Sequence, residues 1–257
     1  MIPKLSDLEL LARQAGDILR TGYGRQHQID RKGLIDLVTE VDRQSEAFLL
    51  GELRQRFPGY RILAEESGSQ AGDNCCIWYI DPLDGTVNYA HAVPFFSVSL
   101  ALQVDGALRL GVVYDPLRDE CFSAEQGQGA RLNGQPIHVS DSQDLLHSLL
   151  VTGFPYDIRE NPNNNLDNYA RFSLLTQGVR RLGSAALDLA YVACGRLDGY
   201  WELRLNPWDV AAGGLIAREA GATVTNYQGE LDFISAPQSI LAANPHIHPL
   251  MLAALNK

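Results

Sequence analysis

The chain predicts a mixed α/β fold of the α+β kind, on three observations. Leu5, Leu8, Ala12, Ala15 and Leu19 recur at steps of three and four, the pattern of an amphipathic helix. Residues 96–104, 108–114 and 120–124 are β-prone runs joined by tight turns, an antiparallel meander. The last third alternates short apolar strands with helices rich in small residues. With 257 residues and 46% hydrophobic composition, the chain can bury the core of one large domain or of two coupled ones.

Taken in order, the first helix spans about 6–22, with Ser6 and Glu9 as a capping box and Leu5 with Leu10 as its staple. Gly22 and Gly24 end it. Residues 25–38 are polar, and Gly33 marks the turn of a loose hairpin that can move. Thr39 or Asp36 opens a second helix that runs through Phe57, with Phe48, Leu49 and Leu53 facing inward. Pro58-Gly59 stops it. A strand over 60–64 then runs into Glu65-Glu66. After a polar loop at 67–74, a buried strand over 77–80 runs into Asp81-Pro82-Leu83-Asp84-Gly85-Thr86. Pro82 removes a donor and fixes one dihedral, so these acids read as a rigid bend rather than as continuing strand.

Beyond the meander, Asn133-Gly134 is a tight turn before a strand at 137–139. A strand at 149–153, a loop at 161–165, a helix at 166–177 and a strand at 179–182 follow. Gly183-Ser184 caps a helix over 185–194. The strand 199–203 carries Glu202. Asn206 as N-cap with Pro207 at the first helical position opens a helix that Gly221 ends. Ala211, Ala212, Gly213 and Gly214 lower its propensity, which points to close packing against a neighbour. Strands at 223–226 and 240–243 and a helix from about 246 complete the chain. The two lobes are expected at 1–145, carrying the acidic motifs, and at 146–257, carrying Asp209, with one shared interface and no linker.

The balance of 21 basic and 31 acidic residues gives a net charge of −10. That disfavours direct contact with nucleic acid or anionic membrane. No apolar run reaches membrane-spanning length, and Met1-Ile2-Pro3-Lys4 does not read as a signal peptide. Cys75, Cys76, Cys121 and Cys194 form no CxxC or zinc spacing, and Cys75-Cys76 read as small core residues. Reduced thiols and a cytoplasmic location are expected. His91, His138, His147, His246 and His248 lack metal spacing and read as surface or structural groups. Trp78, Trp201 and Trp208 read as core or interface.

The chemistry lies in acids that follow strand ends or open helices: 36–42, Glu65-Glu66, 81–84 and Asp209. Any one of these is equally well a helix cap or a solvated turn. Together they need an explanation, because two carboxylates about 4 Å apart repel by about 4 kcal/mol at an effective dielectric of 20. A divalent cation offsets that, and an all-oxygen set without His or Cys suits Mg²⁺. Gly85 and Thr86 add amides and a hydroxyl suited to phosphate. Without a Gly-rich loop ending in Lys-Ser/Thr or an evident phosphorylated nucleophile, direct attack by water is the favoured route.

Asp36-Leu37-Val38-Thr39-Glu40-Val41-Asp42, Glu65-Glu66-Ser67, residues 78–88 with Asp-Pro-Leu-Asp-Gly-Thr, and Trp208-Asp209-Val210-Ala211-Ala212-Gly213 through Gly221 occur in one order across almost the whole chain. In that order they resemble the signatures of the inositol monophosphatase family. The resemblance implies a layered α-β-α-β-α sandwich, shared with fructose-1,6-bisphosphatases, and Mg²⁺-dependent, lithium-sensitive hydrolysis of phosphate monoesters. By matching position, Glu65, Asp81 and the Leu83 carbonyl would hold a first metal, and Asp81, Asp84 and Asp209 a second. A weaker third would sit near Glu65. The choice of Glu65 over Glu66 also comes from the resemblance. Asp42 and Thr86 would orient and deprotonate the water, with Glu65 beside them as a catalytic group. Asp84, Gly85 and Thr86 would cradle phosphate, and Ser184, Ala185 and Glu202 would face the alcohol.

Ala64, Val87 and Ser184 depart mildly from the family pattern, and the 65–81 connection looks short. The implied substrate is a small phosphorylated polyol or sugar, myo-inositol monophosphate first. Fructose 1,6-bisphosphate, histidinol phosphate and 3′-phosphoadenosine 5′-phosphate are alternatives, and Glu202 favours a neutral polyol. Arg180-Arg181 faces either an anionic substrate or a dimer partner. Family resemblance further implies a homodimer, and some bacterial relatives act instead on transcription or RNA-processing machinery.

Overall fold

The computed structural model describes residues 3–25, 29–31, 37–236 and 238–256. Gly33 and Asp36 lie outside these. The first helix, α1 (Leu5–Gly22), starts with the Lys4 amide donating to Asp7, not with the Ser6–Glu9 box. Glu9 instead accepts from the Ser123 hydroxyl at 2.7 Å, and Leu10 is half exposed rather than stapled. Strands β1 (Ile29–Arg31) and β2 (Leu37–Thr39) pair antiparallel. Helix α2 (Glu40–Arg56) opens at Thr39, whose hydroxyl accepts from the Val41 and Asp42 amides, and this decides between Thr39 and Asp36.

Next come β3 (Tyr60–Ala64), β4 (Gly68–Gln70), β5 (Asp73–Asp84) and the short α3 (Thr86–Ala90). Residues 67–74, expected as a loop, supply β4 and the start of β5, and β5 runs through Pro82 instead of bending off at Asp81. Cys75 is exposed, not core. Strands β6 (Ser97–Val104), β7 (Ala107–Asp115) and β8 (Glu120–Glu125) form the expected meander, extended by β9 (Ala130–Leu132) and β10 (Gln135–Ile137) around Asn133-Gly134. The rest is β11 (Leu149–Thr152), α4 (Leu166–Leu175), β12 (Gly178–Arg180), α5 (Ala185–Ala193), β13 (Gly199–Leu203), α6 (Pro207–Glu219), β14 (Thr223–Thr225), β15 (Ser239–Ala243) and α7 (His248–Leu255).

Eight strands form a sheet in the order β10-β9-β8-β7-β6-β5-β3-β4, and five form another in the order β12-β11-β13-β15-β14. Alternation along the strands gives each sheet two apolar faces. Trp78, Ile80, Leu100 and Val112 pack on Leu8, Leu11, Leu49 and Leu53 of α1 and α2. From the opposite face, Tyr79, Ala101, Val113 and Phe122 meet α5 and α6, which also cover Val151, Tyr200 and Ala242 of the smaller sheet. Beyond it, Leu150, Trp201 and Leu241 pack on Phe172 of α4 and Met251 of α7. The order is therefore α-β-α-β-α, with seven helices among the described residues.

The small residues of α6 have the reason expected of them. A Cβ on Gly213 would lie 2.7 Å from Leu189 Cβ of α5, and one on Gly214 would lie 2.6 Å from the Phe233 ring. Across the sheet, a Cβ on Gly111 would lie 3.0 Å from the Ala212 carbonyl oxygen. Gly213→Val forces α5 and α6 apart and lowers stability by about 1–3 kcal/mol. Urea denaturation checks this, and an unchanged midpoint would show that the helices are not in close contact.

Candidate active site

Parallel pairing of β3 and β5 sets the first two acids side by side. Ala64 pairs with Ile80, and the Glu65 amide donates to the Ile80 carbonyl at 3.1 Å, so Glu65 and Asp81 leave adjacent strands at one level. The β5–β6 ladder then shifts register between Asp81 and Asp84. Asp81 is 2% exposed, and its Oδ1 accepts from the Leu83 amide at 3.0 Å. Gly85 follows with φ of 100°, a left-handed conformation that non-glycine residues resist. A Cβ there would also come within 3.2 Å of the Gly183 carbonyl oxygen, so Gly85 is where the large sheet meets the α5 side.

Asp42 reaches the same place from the first turn of α2. It is fully buried; its Oδ2 accepts from the Thr39 amide and hydroxyl, and its Oδ1 accepts from the Thr86 hydroxyl at 2.9 Å. Thr86 Oγ1 also lies 3.1 Å from the Leu83 carbonyl oxygen, so its single proton has two acceptors to choose between. Burial pushes the Asp42 carboxyl up despite these hydrogen bonds.

Asp84 binds the second half of the site to the first. Its Oδ2 accepts from the Ser184 hydroxyl at 2.5 Å and the Ala186 amide at 2.8 Å, and its Oδ1 from the Ala185 amide at 3.2 Å. Ser184 caps α5 as its sequence position predicts. Asp209, half-buried in the first turn of α6, accepts from the Asn206 amide at 2.7 Å. Glu202 on β13 accepts from the Tyr200 hydroxyl at 2.6 Å. Glu65, Asp81, Leu83, Asp84, Gly85, Thr86, Ser184, Ala185, Glu202 and Asp209 all line one cleft of about 110 Å³. Asp42 stands behind it, through Thr86.

The acids oppose one another. Burial, then Glu65, Asp84 and Asp209, push the Asp81 carboxyl well above its usual range, and Asp81 also shares a hydrogen bond with Glu65. Burial lifts Asp84 to about 6, although Ser184 and the α5 amides oppose it. Asp209 is raised by burial and then by Glu65, Asp84 and Glu202. Among the described residues, no group of three or more His, Cys, Asp or Glu side chains stands ready to hold a metal ion. Asp81, Asp84 and Asp209 spend oxygens instead on backbone amides or Ser184.

Gly153, Phe154, Tyr156, Asp188 and Asn206 line the cleft as well and were not read from the sequence; Arg181, one of its two expected places, does too. Gly153, Phe154 and Tyr156 carry no local motif. Asp188 had one faint signal, a lone acid in an otherwise apolar helix, four residues after Ser184 and so on the same face. Trp78 and Trp201 are core, as expected. His248 is buried against the Thr225 hydroxyl at 3.0 Å, a structural role. No described helix is long and apolar enough to cross a membrane.

An inositol-1-monophosphatase from Synechocystis is 50% identical over 245 residues, covering 94% of this chain and 84% of that protein. A protein named Nus factor SuhB from Escherichia coli is 41% identical over 256 residues, covering 98% of this chain and 96% of its own. The solved inositol monophosphatase from Anabaena superposes with a TM-score of 0.89 at 48% identity, covering 98% of this chain and 94% of that one. With the inositol monophosphatase family model matching residues 5–257, the chain belongs to that family, a family of phosphatases.

Proposed function

We propose that the protein hydrolyses myo-inositol monophosphate to myo-inositol and phosphate, with two or three Mg²⁺ ions held by Glu65, Asp81, the Leu83 carbonyl, Asp84 and Asp209. The observation that carries this reading is the convergence of the Asp42–Thr86 hydrogen bond and four mutually repelling carboxylates on one cleft. The donor set fits the ion: hard oxygens only, from rigid elements, with the charge on Asp81 opposed by Glu65, Asp84 and Asp209. When bound, the ions supply charge neutralisation for the phosphate and acidify a water.

The residues do the rest. Thr86 Oγ1 donates to Asp42 and so turns a lone pair toward the cleft, where it accepts a proton from the attacking water. Its own proton passes to Asp42 Oδ1 in the same step. The Asp42 carboxyl, lifted by burial, is a better proton acceptor than an exposed aspartate. Thr39 holds the other Asp42 oxygen still. Gly85 and Thr86 at the start of α3 bring their amides to the phosphate. Ser184, Ala185 and Glu202 face the alcohol, and Glu202 disfavours a second phosphate there. One relative supports this choice: SaIMPase-II, which has been solved with inositol monophosphate and also with 2'AMP bound, superposes in its inositol monophosphate form with a TM-score of 0.80 at 29% identity.

A phosphate-release panel tests the reading, with myo-inositol 1-phosphate, fructose 1,6-bisphosphate, histidinol phosphate and 3′-phosphoadenosine 5′-phosphate. Turnover of the inositol ester with Mg²⁺, lost in EDTA and reduced by Li⁺, is the expected result. Absence of Mg²⁺-dependent release from all four overturns it. Relatives named Nus factor SuhB support a second role with the transcription machinery, compatible with catalysis. Homodimerisation and a cytoplasmic location complete the proposal.

A further inference from the structure

We propose that Asp188 is a specificity-determining residue: with Glu202 it forms a two-carboxylate subsite that recognises adjacent hydroxyl groups on the alcohol side of the substrate. This rests on the phosphatase reading above and deepens it.

Asp188 lines the same cleft as Asp84 and Glu202. It is 1% exposed, and its Oδ1 is buried with no hydrogen-bond partner. It lies one helical turn after Ser184, on the face of α5 that carries Ser184 to Asp84. A buried oxygen without a donor destabilises a fold. What offsets this is only long-range charge, from the first turn of α5 and from Arg181, while Ala186, Leu187, Leu189 and Ala190 on either side are fully buried apolar residues. A group that is costly when empty and lines a cleft is matched by a ligand that supplies the missing donor.

The chemistry of that donor follows from the neighbours. Glu202 is fixed from two sides. Tyr200 donates to its Oε2, and Gly153 closes on it so tightly that a Cβ there would lie 2.0 Å from the same oxygen. Asp188 and Glu202 therefore present acceptors from two rigid elements, α5 and β13. Burial, then Glu202 and Asp84, push the Asp188 carboxyl up, while Arg181 opposes this. Arg181 also lowers Glu202, so it offsets part of the negative charge of both. What remains suits a neutral diol, whose two O–H groups sit at a short fixed separation. A second phosphate would meet two carboxylates, and an alcohol without further hydroxyls would leave Asp188 unpartnered.

The test compares wild type, Asp188→Ala and Asp188→Asn on myo-inositol 1-phosphate, 2-aminoethyl phosphate and p-nitrophenyl phosphate, with melting temperatures in parallel. For Asp188→Ala the expected result is an about tenfold higher KM for the inositol ester, with kcat little changed and p-nitrophenyl phosphate altered by less than about twofold. Asp188→Asn, which keeps the shape and one acceptor, should raise the inositol KM by about threefold. If the alanine variant fails to fold, the asparagine variant decides. Equal changes on all three substrates, or none on the inositol ester, overturn the role of Asp188 alone. A wild-type preference for 2-aminoethyl phosphate also overturns it, by showing an ammonium site. Phosphate release from none of the three by wild type overturns both readings together.

Discussion

Asp84→Asn lowers kcat by about 10³-fold while the protein stays folded, the size of effect that follows loss of one preorganised charged group. Asp84 has two jobs that the substitution separates. Its oxygens cap the start of α5 through Ser184, Ala185 and Ala186, and thereby join the large sheet to the helices between the sheets. An asparagine with its oxygen in the Oδ2 place keeps the bonds from Ser184 and the Ala186 amide and gives up only that from the Ala185 amide, so most of that joint survives. The expected stability loss is about 1–2 kcal/mol, comparable with loss of a helix cap. The other job, a negative charge in the cleft, is removed outright. Phosphate release and thermal melting on the same preparation tell them apart. Turnover within a few-fold of wild type would remove Asp84 from the proposed metal set, whatever the melting curve shows.

What could be read from the sequence was local. Ser184, Asn206 and Thr39 each occupy the N-cap that side-chain chemistry predicts, and Tyr60–Ala64 is a strand with the expected bounds. The strand through Pro82 was not legible. Proline ends most central strands, because it lacks a donor. Here it sits in the register shift between Asp81 and Asp84 on one side, and beyond Ala64, the last β3 residue, on the other. Neither neighbour asks it for a hydrogen bond. The first helix shows the same limit. Ser6 and Glu9 have capping-box spacing, but Glu9 is claimed by Ser123, a partner 114 residues away. Glu65, Asp81, Asp84 and Asp209 do gather in one cleft, and each was visible as a motif. Their depth was not: that Asp42 stands behind Thr86, or that Asp188 joins Glu202, depends on packing between helices and sheets remote in sequence.

The metal-free protein is expected to melt at higher temperature at pH 5 than at pH 7.5, the reverse of ordinary acid destabilisation. Burial pushes Glu202 to about 7 and Asp84 to about 6, and lifts Asp81, Asp188 and Asp209 as well. A carboxyl whose folded pKa lies above its unfolded value binds more protons when folded. Its contribution is fully present below the unfolded pKa and is lost as pH rises through the folded one. For Glu202, from an ordinary 4.5 to about 7, the loss is roughly 3 kcal/mol, at 1.4 kcal/mol per pH unit. At this chain size each kcal/mol is worth roughly 2–4 °C. The groups that act the other way do so elsewhere or weakly. Asp73, Asp119, Asp144 and Asp232 have lowered pKa values, so they matter only below the ordinary carboxylate range. His248, buried and held below its usual pKa, costs some stability on the acid side, but it is one group against six, Asp42 included. Glu202→Gln removes its share and flattens the slope. Bound as proposed, Mg²⁺ would compete with protons for the same oxygens, so it should raise the melting temperature more at pH 7.5 than at pH 5. A melting temperature in EDTA that is flat or rising between these pH values would mean that the carboxylates are not packed against one another as described. A Mg²⁺ shift equal at both would mean that the ion binds elsewhere.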